Sequence, residues 1–511
     1  MFSSVGFCLA LALPIASQQI YDIWSTTWQR DNLFTYKNLG SSPINFVTPV
    51  STGTSDIQVA DTTYYQDIIG FGAALTDSSA KLLSQLKAGS RLSQNSTQYW
   101  SLIDYLFDPT DGANAAGMTY LRVPLGASDF SASTYTFDDT SGDTSLSDFN
   151  VNAAPSYLYS TIADILSVNS IIKIHVCPWS PPAWMKDGGS IDGGKFYTSY
   201  TSTYANYLLK ALQGFQGKGI PVWGVSLQNE PQNSNPTYPS ALIDAYWEGQ
   251  LGTQLRTLMD NNGFSGTLII GYEHNWDDAG AYPVDLMEDA GSAFDGVSFH
   301  CYAGDVGDQQ TFYNAYPNKN IYFTECSGTI GSDWWSDIKW YLNNIFIGSV
   351  NNWSRNGAMW NLALDSTGQP ELPGSNSCGG GGCRGVVQIN SDGTWSVNQE
   401  FYAIAQASKA IIPRDSGGPF GQRIGVSVSG NQNLVVSAFV TKRVSSSDWW
   451  RYSLVVLNQN DNSSGSWDPV DIAATIEFKG AQAKYTFPVG VTTLWWYAAP
   501  DTSYAPDQLT L

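Results

Sequence analysis

Residues 221–231 read PVWGVSLQNEP, a short apolar run that ends on Asn229, Glu230 and Pro231. Eight such runs, separated by segments with helical spacing, lie at 68–75, 120–126, 171–178, 221–228, 267–273, 296–302, 321–326 and 357–364. Strands with continuous apolar character that alternate with helices are typical of parallel sheets. The pattern predicts an α/β fold, a (β/α)8 TIM barrel over residues 61–412. A doubly wound sheet is the alternative, but GFGAALTDSS (70–79) is a poor match to its phosphate loop.

The pattern changes after residue 412. Residues 413–511 contain period-two runs separated by turns, such as NLVVSAFVTK and YSLVVLNQN, which predict a C-terminal β-sandwich domain. Residues 18–60 are also β-like. Because the two ends of a chain often lie close together, we expect this N-terminal segment to complete the sandwich.

Composition limits the classes of partner. The 511 residues carry a net charge of −21, which argues against nucleic acid or an anionic membrane surface. The apolar run within residues 1–17 is too short to span a bilayer and indicates a signal peptide, although it lacks the usual basic start. We therefore expect a secreted, extracellular monomer without a transmembrane segment. Three N-glycosylation sequons fit secretion: Asn95, Asn352 and Asn462.

Cysteine and histidine are scarce. Cys8 would leave with the signal peptide, and Cys378 and Cys383 flank four glycines in a loop that a disulfide could close. The pairing of the other three stays open at this point: Cys177, Cys301 and Cys326. We interpret Cys326 as a small packed residue, since no histidine partner is apparent. Only three His occur, without metal-ligand spacing, so we expect no metal and no cofactor.

Two acids stand at strand ends. In a β/α barrel the chemistry takes place at the C-terminal ends of the strands. Glu230 follows the fourth predicted strand, and Glu325 ends the seventh. A single such acid is more often a solvated loop charge, but a facing pair is the signature of a glycosidase. A separation of about 5–5.5 Å means retention of configuration, and roughly 6.5–9.5 Å means inversion.

Seven motifs together carry a family resemblance: IIGFGAALTDSSA, YLRVPLGASDFS, CPWSPPAWMK, VSLQNEP, FHCYAG, FTECSG and MWNLAL. In this order they resemble glycoside hydrolase family 30, the glucosylceramidase-like family. The resemblance implies a retaining glycosidase in which Glu230 is the general acid/base and Glu325 the nucleophile. Two carboxyl groups this close cannot both ionise easily, so we expect a raised pKa at Glu230.

The same motifs imply supporting roles. Asn229 would hydrogen-bond the sugar 2-hydroxyl, Tyr302 would hold the nucleophile, and Arg122 would pair with Glu325. Three further residues match positions that line the subsite for the cleaved sugar in the glucose-specific branch: Asp129, Trp179 and Trp360.

Three more positions take interpretations of their own. We expect His300 to support the site and Asp77 to cap the helix that follows it. Cys301 stands where mammalian-like members carry Trp.

The substrate is the least determined point. The loops NEPQNSNPTYPS and CGGGGCRGVV resemble the fungal branch that cuts β-1,6-glucan, which favours an endo-β-1,6-glucanase. The alternatives are a glucosylceramidase, then a β-1,6-galactanase or a xylanase. A catalytically silent sugar-binding protein is the alternative outside the enzymes.

Overall fold

The computed structural model of the chain describes residues 18–48, 55–88 and 95–500, so the predicted signal peptide lies outside the described residues. The strands are β1 (Gln19–Thr27), β2 (Thr35–Asn38), β3 (Ile44–Asn45), β4 (Ser55–Asp67), β5 (Gly70–Ala74), β6 (Tyr120–Leu125), β7 (Lys173–Pro178), β8 (Val222–Ser226), β9 (Leu268–Asn275), β10 (Gly296–His300), β11 (Asn320–Glu325), β12 (Gly328–Thr329), β13 (Asn356–Met359), β14 (Ala363–Leu364), β15 (Cys383–Arg384), β16 (Val387–Ile389), β17 (Trp395–Val397), β18 (Gln422–Ser429), β19 (Leu434–Thr441), β20 (Trp450–Asn458), β21 (Ile472–Phe478), β22 (Ala481–Phe487) and β23 (Gly490–Ala498). The α-helices are α1 (Asp77–Ala88), α2 (Asn95–Phe107), α3 (Ser156–Val168), α4 (Thr201–Gly217), α5 (Ala245–Asn261), α6 (Tyr282–Ala290), α7 (Gln309–Ala315), α8 (Trp334–Tyr341), α9 (Gly348–Asn351) and α10 (Gln399–Ile411).

Eight parallel strands form the barrel. Their order is β11-β10-β9-β8-β7-β6-β5-β13, and a parallel bridge between Ile321 and Ser354 brings the two ends of the sheet together. Each strand falls within or beside one of the eight apolar runs, so the predicted barrel is confirmed. The apolar runs are continuous because these strands are covered on both faces, and every residue of β5, β6 and β10 is buried.

The two ends of the chain build one further sheet. Its order is β2-β1-β23-β20-β19-β18-β4-β21-β22, with β3 paired to β1. The N-terminal strand β1 pairs antiparallel with β23, and β4 lies between β18 and β21. Strand β4 continues to Asp67, past residue 60, where the sequence analysis divides the chain.

Two small sheets lie outside the predicted elements. Strand β12 pairs with β15, and β14, β16 and β17 form a three-stranded sheet. These strands of two or three residues bracket the loop of Cys378 and Cys383, and Cys378 lines the cavity described below.

The cap of α1 differs from the prediction. The hydroxyl of Thr76 accepts the Ser79 backbone N–H at 3.2 Å and caps the helix. The carboxylate of Asp77 instead accepts hydrogen bonds from Ser131 at 2.7 Å and Tyr135 at 3.0 Å. Asp77 therefore anchors the loop after β6. In residues 18–48, 55–88 and 95–500, no helix is long and apolar enough to cross a membrane.

Candidate active site

A polar cavity of about 370 Å³ opens at the C-terminal ends of the barrel strands. Glu230, which follows β8, and Glu325, which ends β11, both line it. The other lining residues are Asp129, Trp179, Asn229, Gln232, Asn233, Tyr238, His274, Asn275, Tyr302, Trp360, Ser377 and Cys378. The structure thus brings both predicted acids to one cavity, together with Asn229, Asp129, Tyr302 and both tryptophans.

Glu230 has a strained backbone. Its φ of 46° is rare for a residue with a side chain and costs on the order of 1–3 kcal/mol. Its backbone N–H donates to the Glu273 carbonyl at 3.0 Å, and its carboxylate accepts from Asn233 at 2.8 Å. These contacts hold the carboxylate in the cavity.

Glu325 is held by two donors on opposite oxygens. The buried Arg122 guanidinium donates to one oxygen at 2.5 Å, and the Tyr302 hydroxyl donates to the other at 2.9 Å. Arg122 also donates to the Asn229 side-chain oxygen at 2.6 Å. The predicted contacts of Arg122 and Tyr302 with Glu325 are present. Because the oxygen of Asn229 is taken by Arg122, its amide nitrogen is the group left for a substrate.

Glu273, at the end of β9, is a further buried carboxylate that the motifs do not single out. It accepts hydrogen bonds from Arg122 at 2.9 Å and Thr324 at 2.6 Å, and it faces His300 at 3.1 Å. Burial opposes its ionisation, but Arg122 and the hydrogen bond from His300 hold the pKa of Glu273 well below its usual range. Glu273 therefore supplies the charge that balances Arg122 in the barrel interior.

His300 connects two carboxylates. Its Nδ1 lies 3.1 Å from Glu230 and its Nε2 lies 3.1 Å from Glu273. Burial disfavours the imidazolium, yet Glu325, Glu230 and Glu273 together raise the pKa of His300 to about 9. His300 thus lies between the carboxylates of Glu230 and Glu273, in contact with both.

The pKa shifts of the acid pair are opposite to the expectation. Burial would raise the pKa of Glu230, but the hydrogen bond and charge of His300 outweigh burial and lower it to about 2. Burial raises the pKa of Glu325, and His300 and Arg122 offset part of that rise. The reason is His300: Glu230 and His300 share one proton, and the imidazole holds it.

Two tryptophans and one buried aspartic acid line a further part of the cavity: Trp179, Trp360 and Asp129. Trp179 and Trp360 stack with ring centroids 5.0 Å apart and an interplanar angle of 21°. One oxygen of the buried Asp129 carboxylate has no hydrogen-bond partner among the described residues. Burial raises the pKa of Asp129 to about 8, while Ser377 acts against the rise. A pair of sugar hydroxyls would satisfy this carboxylate.

One predicted disulfide is present, and the interpretation of Cys326 as only a small packed residue was wrong. Cys378 and Cys383 form a disulfide, as expected from the Gly-rich loop. Cys326 is not an isolated packed residue, because it forms a disulfide with Cys301. This bond joins the ends of β10 and β11, next to Tyr302 and Glu325. Cys177 is buried and free.

Three ligand-type side chains meet in the cavity although their sequence spacing gives no metal motif. The donor atoms of Glu230, His274 and His300 lie within 4.8 Å of one another. Both ring nitrogens of His300 already face carboxylates, so a cation would have to displace the contact with Glu230. The three come from separate strands, which is why spacing could not indicate the cluster.

Two of the sequons have described side chains. The Asn352 amide donates to the Gly348 carbonyl at 2.9 Å and is half-buried, whereas Asn462 is exposed. The side chain of Asn95, in the first turn of α2, lies outside the described residues.

Known proteins are similar to this chain in sequence and in fold. A profile described as "Glycosyl hydrolase family 30 TIM-barrel domain" matches residues 68–243. An endo-1,6-beta-D-glucanase of Neurospora crassa is 33% identical over 380 residues, 71% of this chain and 74% of that protein. A putative glucosylceramidase of Caenorhabditis elegans is 27% identical over 363 residues, 66% of each. Among solved structures, one described as an endo-beta1,6-glucanase has a TM-score of 0.78 at 26% identity and covers 93% of this chain and 99% of that one.

Proposed function

Because this chain belongs to glycoside hydrolase family 30, we propose that it is a secreted, retaining endo-β-1,6-glucanase that acts on wall β-1,6-glucan. It is a glycoside hydrolase, and its fold is that of the family. The observation that carries the proposal is the single cavity in which Glu230 and Glu325 lie beside the stacked Trp179–Trp360 wall.

The proposed mechanism is a double displacement. Glu325 attacks the anomeric carbon while Glu230 gives its proton to the glycosidic oxygen, so that the C–O bond breaks and a glycosyl-enzyme forms. Glu230 then takes a proton from the water that attacks the glycosyl-enzyme, and the carboxylate of Glu325 leaves. The proton that Glu230 needs for the first step is available on His300, 3.1 Å away.

Supporting groups have proposed roles that follow from their contacts. Arg122 and Tyr302 orient Glu325. The amide nitrogen of Asn229 donates to the 2-hydroxyl, an interaction that strengthens at the transition state. Asp129 accepts hydrogen bonds from two neighbouring sugar hydroxyls, and Trp179 and Trp360 pack beside the sugar ring.

The rim of the cavity favours a polysaccharide over a lipid glycoside. Extraction of a ceramide would require exposed apolar side chains around the opening. Within the described ranges, the exposed large apolar side chain in the cavity lining is Tyr302, and its hydroxyl is bonded to Glu325. The rest of the opening is polar, with Gln232, Asn233 and Asn275. The similarity to endo-1,6-glucanases supports the same choice.

Secretion and a monomeric state are part of the proposal. Two disulfides fit an oxidising compartment, and the apolar run in residues 1–17 has the length of a signal peptide. One chain supplies both carboxylates and the aromatic wall, so the chemistry needs no residue from a second copy.

A substrate panel tests the proposal. The purified chain is incubated with linear β-1,6-glucan, β-1,6-galactan, xylan and glucosylceramide, and the products are separated by chromatography. We expect gentio-oligosaccharides from β-1,6-glucan as the main reaction. Preferred release of ceramide would instead make the chain a glucosylceramidase, and binding without turnover on every substrate would make it a sugar-binding protein.

A further inference from the structure

A second groove lies where α8 meets the sheet built from the chain ends. It has a volume of about 500 Å³ and is lined by Trp28, Arg30, Asp333, Trp334, Trp335, Ser336, Lys339, Ser463, Gly465 and Trp467. We propose that this tryptophan groove is a second, non-catalytic site that binds a stretch of the neutral β-glucan chain. The identity of the polymer rests on the function proposed above.

The groove presents aromatic faces at a corner. Trp467 is 47% exposed and Trp28 is half-buried. Their rings meet edge to face, with centroids 4.9 Å apart and an interplanar angle of 70°. An exposed tryptophan pair offers a large, rigid apolar surface with polar N–H edges. The apolar face of a pyranose ring and its equatorial hydroxyls match such a surface.

Two hydrogen-bond donors in the groove lack partners. Trp334 is 8% exposed, and its indole N–H donates to no group among the described residues. The Arg30 guanidinium lies 4.6 Å from the Trp334 ring and is not within salt-bridge distance of any described carboxylate. The Trp334 N–H is a buried donor without an acceptor, which costs free energy, whereas the Arg30 guanidinium is exposed. Of the two groups, the exposed Arg30 guanidinium is the one from which a sugar hydroxyl in the groove would accept.

The floor and rim of the groove are held in place before any ligand binds. The Trp335 indole N–H donates to Asp461 at 2.5 Å, and the Lys339 ammonium donates to the same carboxylate at 2.7 Å and to Ser463 at 3.0 Å. On the other rim, the Trp28 backbone N–H donates to the Val489 carbonyl at 3.2 Å. A preformed site loses little conformational entropy on binding.

The position of the groove suits a polymer. Strand β11 ends at Glu325, and α8 begins at Trp334 after a short loop. In a β/α barrel the strand C-termini and the starts of the following helices share the catalytic face. The tryptophan groove therefore lies on the same end of the barrel as the cleft. A chain bound there would be held near the carboxylates.

Charge favours a neutral ligand. Lys339 is paired with Asp461, and the Asp333 carboxylate accepts the Ser336 backbone N–H at 2.9 Å. That leaves Arg30 as the unpaired cation of the groove, among the residues that the structure describes, in a chain with a net charge of −21. One guanidinium is a weak attractor for a polyanion against that field.

The binding test uses the full chain carrying Glu325→Gln, so that the polymer persists, and measures retention on insoluble β-1,6-glucan. We expect Trp467→Ala to weaken binding roughly fivefold or more. Trp334→Phe keeps an aromatic ring and removes the N–H, so it should weaken binding less than Trp467→Ala does. Trp340→Ala is the matched control, because Trp340 is 38% exposed on the same helix but lies in a different cavity. Equal retention of the Trp467→Ala and Trp340→Ala variants would overturn the proposal.

Two parallel measurements distinguish a glucan site from a site filled by the protein's own glycan. The sequon at Asn462 borders the groove, so a glycan attached there could occupy the tryptophans. We expect protein from a glycosylating host to bind equally with and without Ser464→Ala; binding that requires this substitution would contradict the proposal. Hydrolysis of β-1,6-glucan by the unsubstituted chain is followed alongside. If hydrolysis is absent but binding still depends on Trp467, the result would count against the proposed function and not against glucan binding in the tryptophan groove.

Discussion

At the scale of residues, the chemistry depends on where one proton lies. Glu230 and His300 are 3.1 Å apart, and the imidazole holds the proton because three carboxylates surround it. Transfer of that proton to Glu230 produces the neutral acid that cleavage requires. We therefore propose that His300 is a positioning residue for Glu230 and a reservoir of the proton that Glu230 needs.

Substitution of the two acids should separate their roles. We expect Glu230→Ala to lower turnover of β-1,6-glucan by about 10²–10⁴ while sparing aryl glucosides whose leaving groups need no protonation. Glu325→Ala should abolish turnover of both, and added azide should then give the inverted glycosyl azide. Steady-state rates and product analysis check this. If Glu230→Ala lowers turnover of the polymer and of the aryl glucoside equally, Glu230 is not the general acid.

The pH profile tests the Glu230–His300 pair. The reaction requires ionised Glu325. Burial raises the pKa of Glu325, so activity should be lost as pH falls, and this loss should occur at a higher pH than for an ordinary glutamate. The proton of the pair is lost as pH rises through about 9. His300→Gln should move the alkaline limb down by about one pH unit or more, since Glu230 alone must then hold the proton. It should also move the acid limb up, because the charge that lowers the pKa of Glu325 is gone. An unchanged alkaline limb would show that His300 does not hold the proton.

At the scale of elements, prediction from sequence succeeded where the signal is local and repeated. All eight barrel strands lie within or beside continuous apolar runs, and Glu230 and Glu325 follow from strand ends that carry the VSLQNEP and FTECSG motifs. Glu273 was not singled out because it ends an apolar strand without a neighbouring motif. The sheets of β12 and β14–β17 were missed because strands of two or three residues carry no periodicity.

The Cys301–Cys326 disulfide could not be paired from sequence, since 25 residues and a helix separate the two cysteines. Its position predicts an effect on both stability and rate. The double change Cys301→Ser/Cys326→Ser should lower stability by about 3 kcal/mol and also lower kcat, because the ends of β10 and β11 carry Tyr302 and Glu325.

Tyr302→Phe is the comparison for the disulfide variant. It removes the hydrogen bond to Glu325 and keeps the disulfide, so kcat should fall while thermal stability stays near that of the unsubstituted chain. Denaturant unfolding measures the stability of the two variants, and steady-state kinetics measures their kcat. A disulfide-free variant with unaltered kcat would mean that the bond does not position Glu325.

At the scale of the whole molecule, one face of the terminal sheet packs against the barrel, and the other face buries a separate hydrophobic core of the sheet itself. Phe439, Val455 and Trp495 from the sheet belong to the same buried cluster as the barrel helices. The fully buried Arg451 donates from β20 to Asp111 at 2.6 Å and also to the Ile412 carbonyl. We therefore expect a single cooperative unfolding transition rather than two.

Arg451→Met tests that coupling. It removes the donor to the buried Ile412 carbonyl, while Asp111 keeps the Arg414 guanidinium at 3.2 Å, so the free energy of unfolding should fall by about 1–3 kcal/mol. Lys195→Met, which breaks the exposed pair with Asp244, should change it by about 0–1 kcal/mol. Calorimetry measures the free energy of unfolding of each variant and the number of transitions. Two separated transitions in the unsubstituted chain would show that the barrel and the terminal sheet unfold independently, against this expectation.

The central claim is that this chain cleaves β-1,6-glucan with retention, using Glu230 and Glu325. The most direct measurement follows the anomeric proton signals by NMR from the first minutes of the reaction on linear β-1,6-glucan. We expect new reducing ends to appear first as the β-anomer and to mutarotate only later. Initial formation of the α-anomer, or no new reducing ends at all, would contradict it.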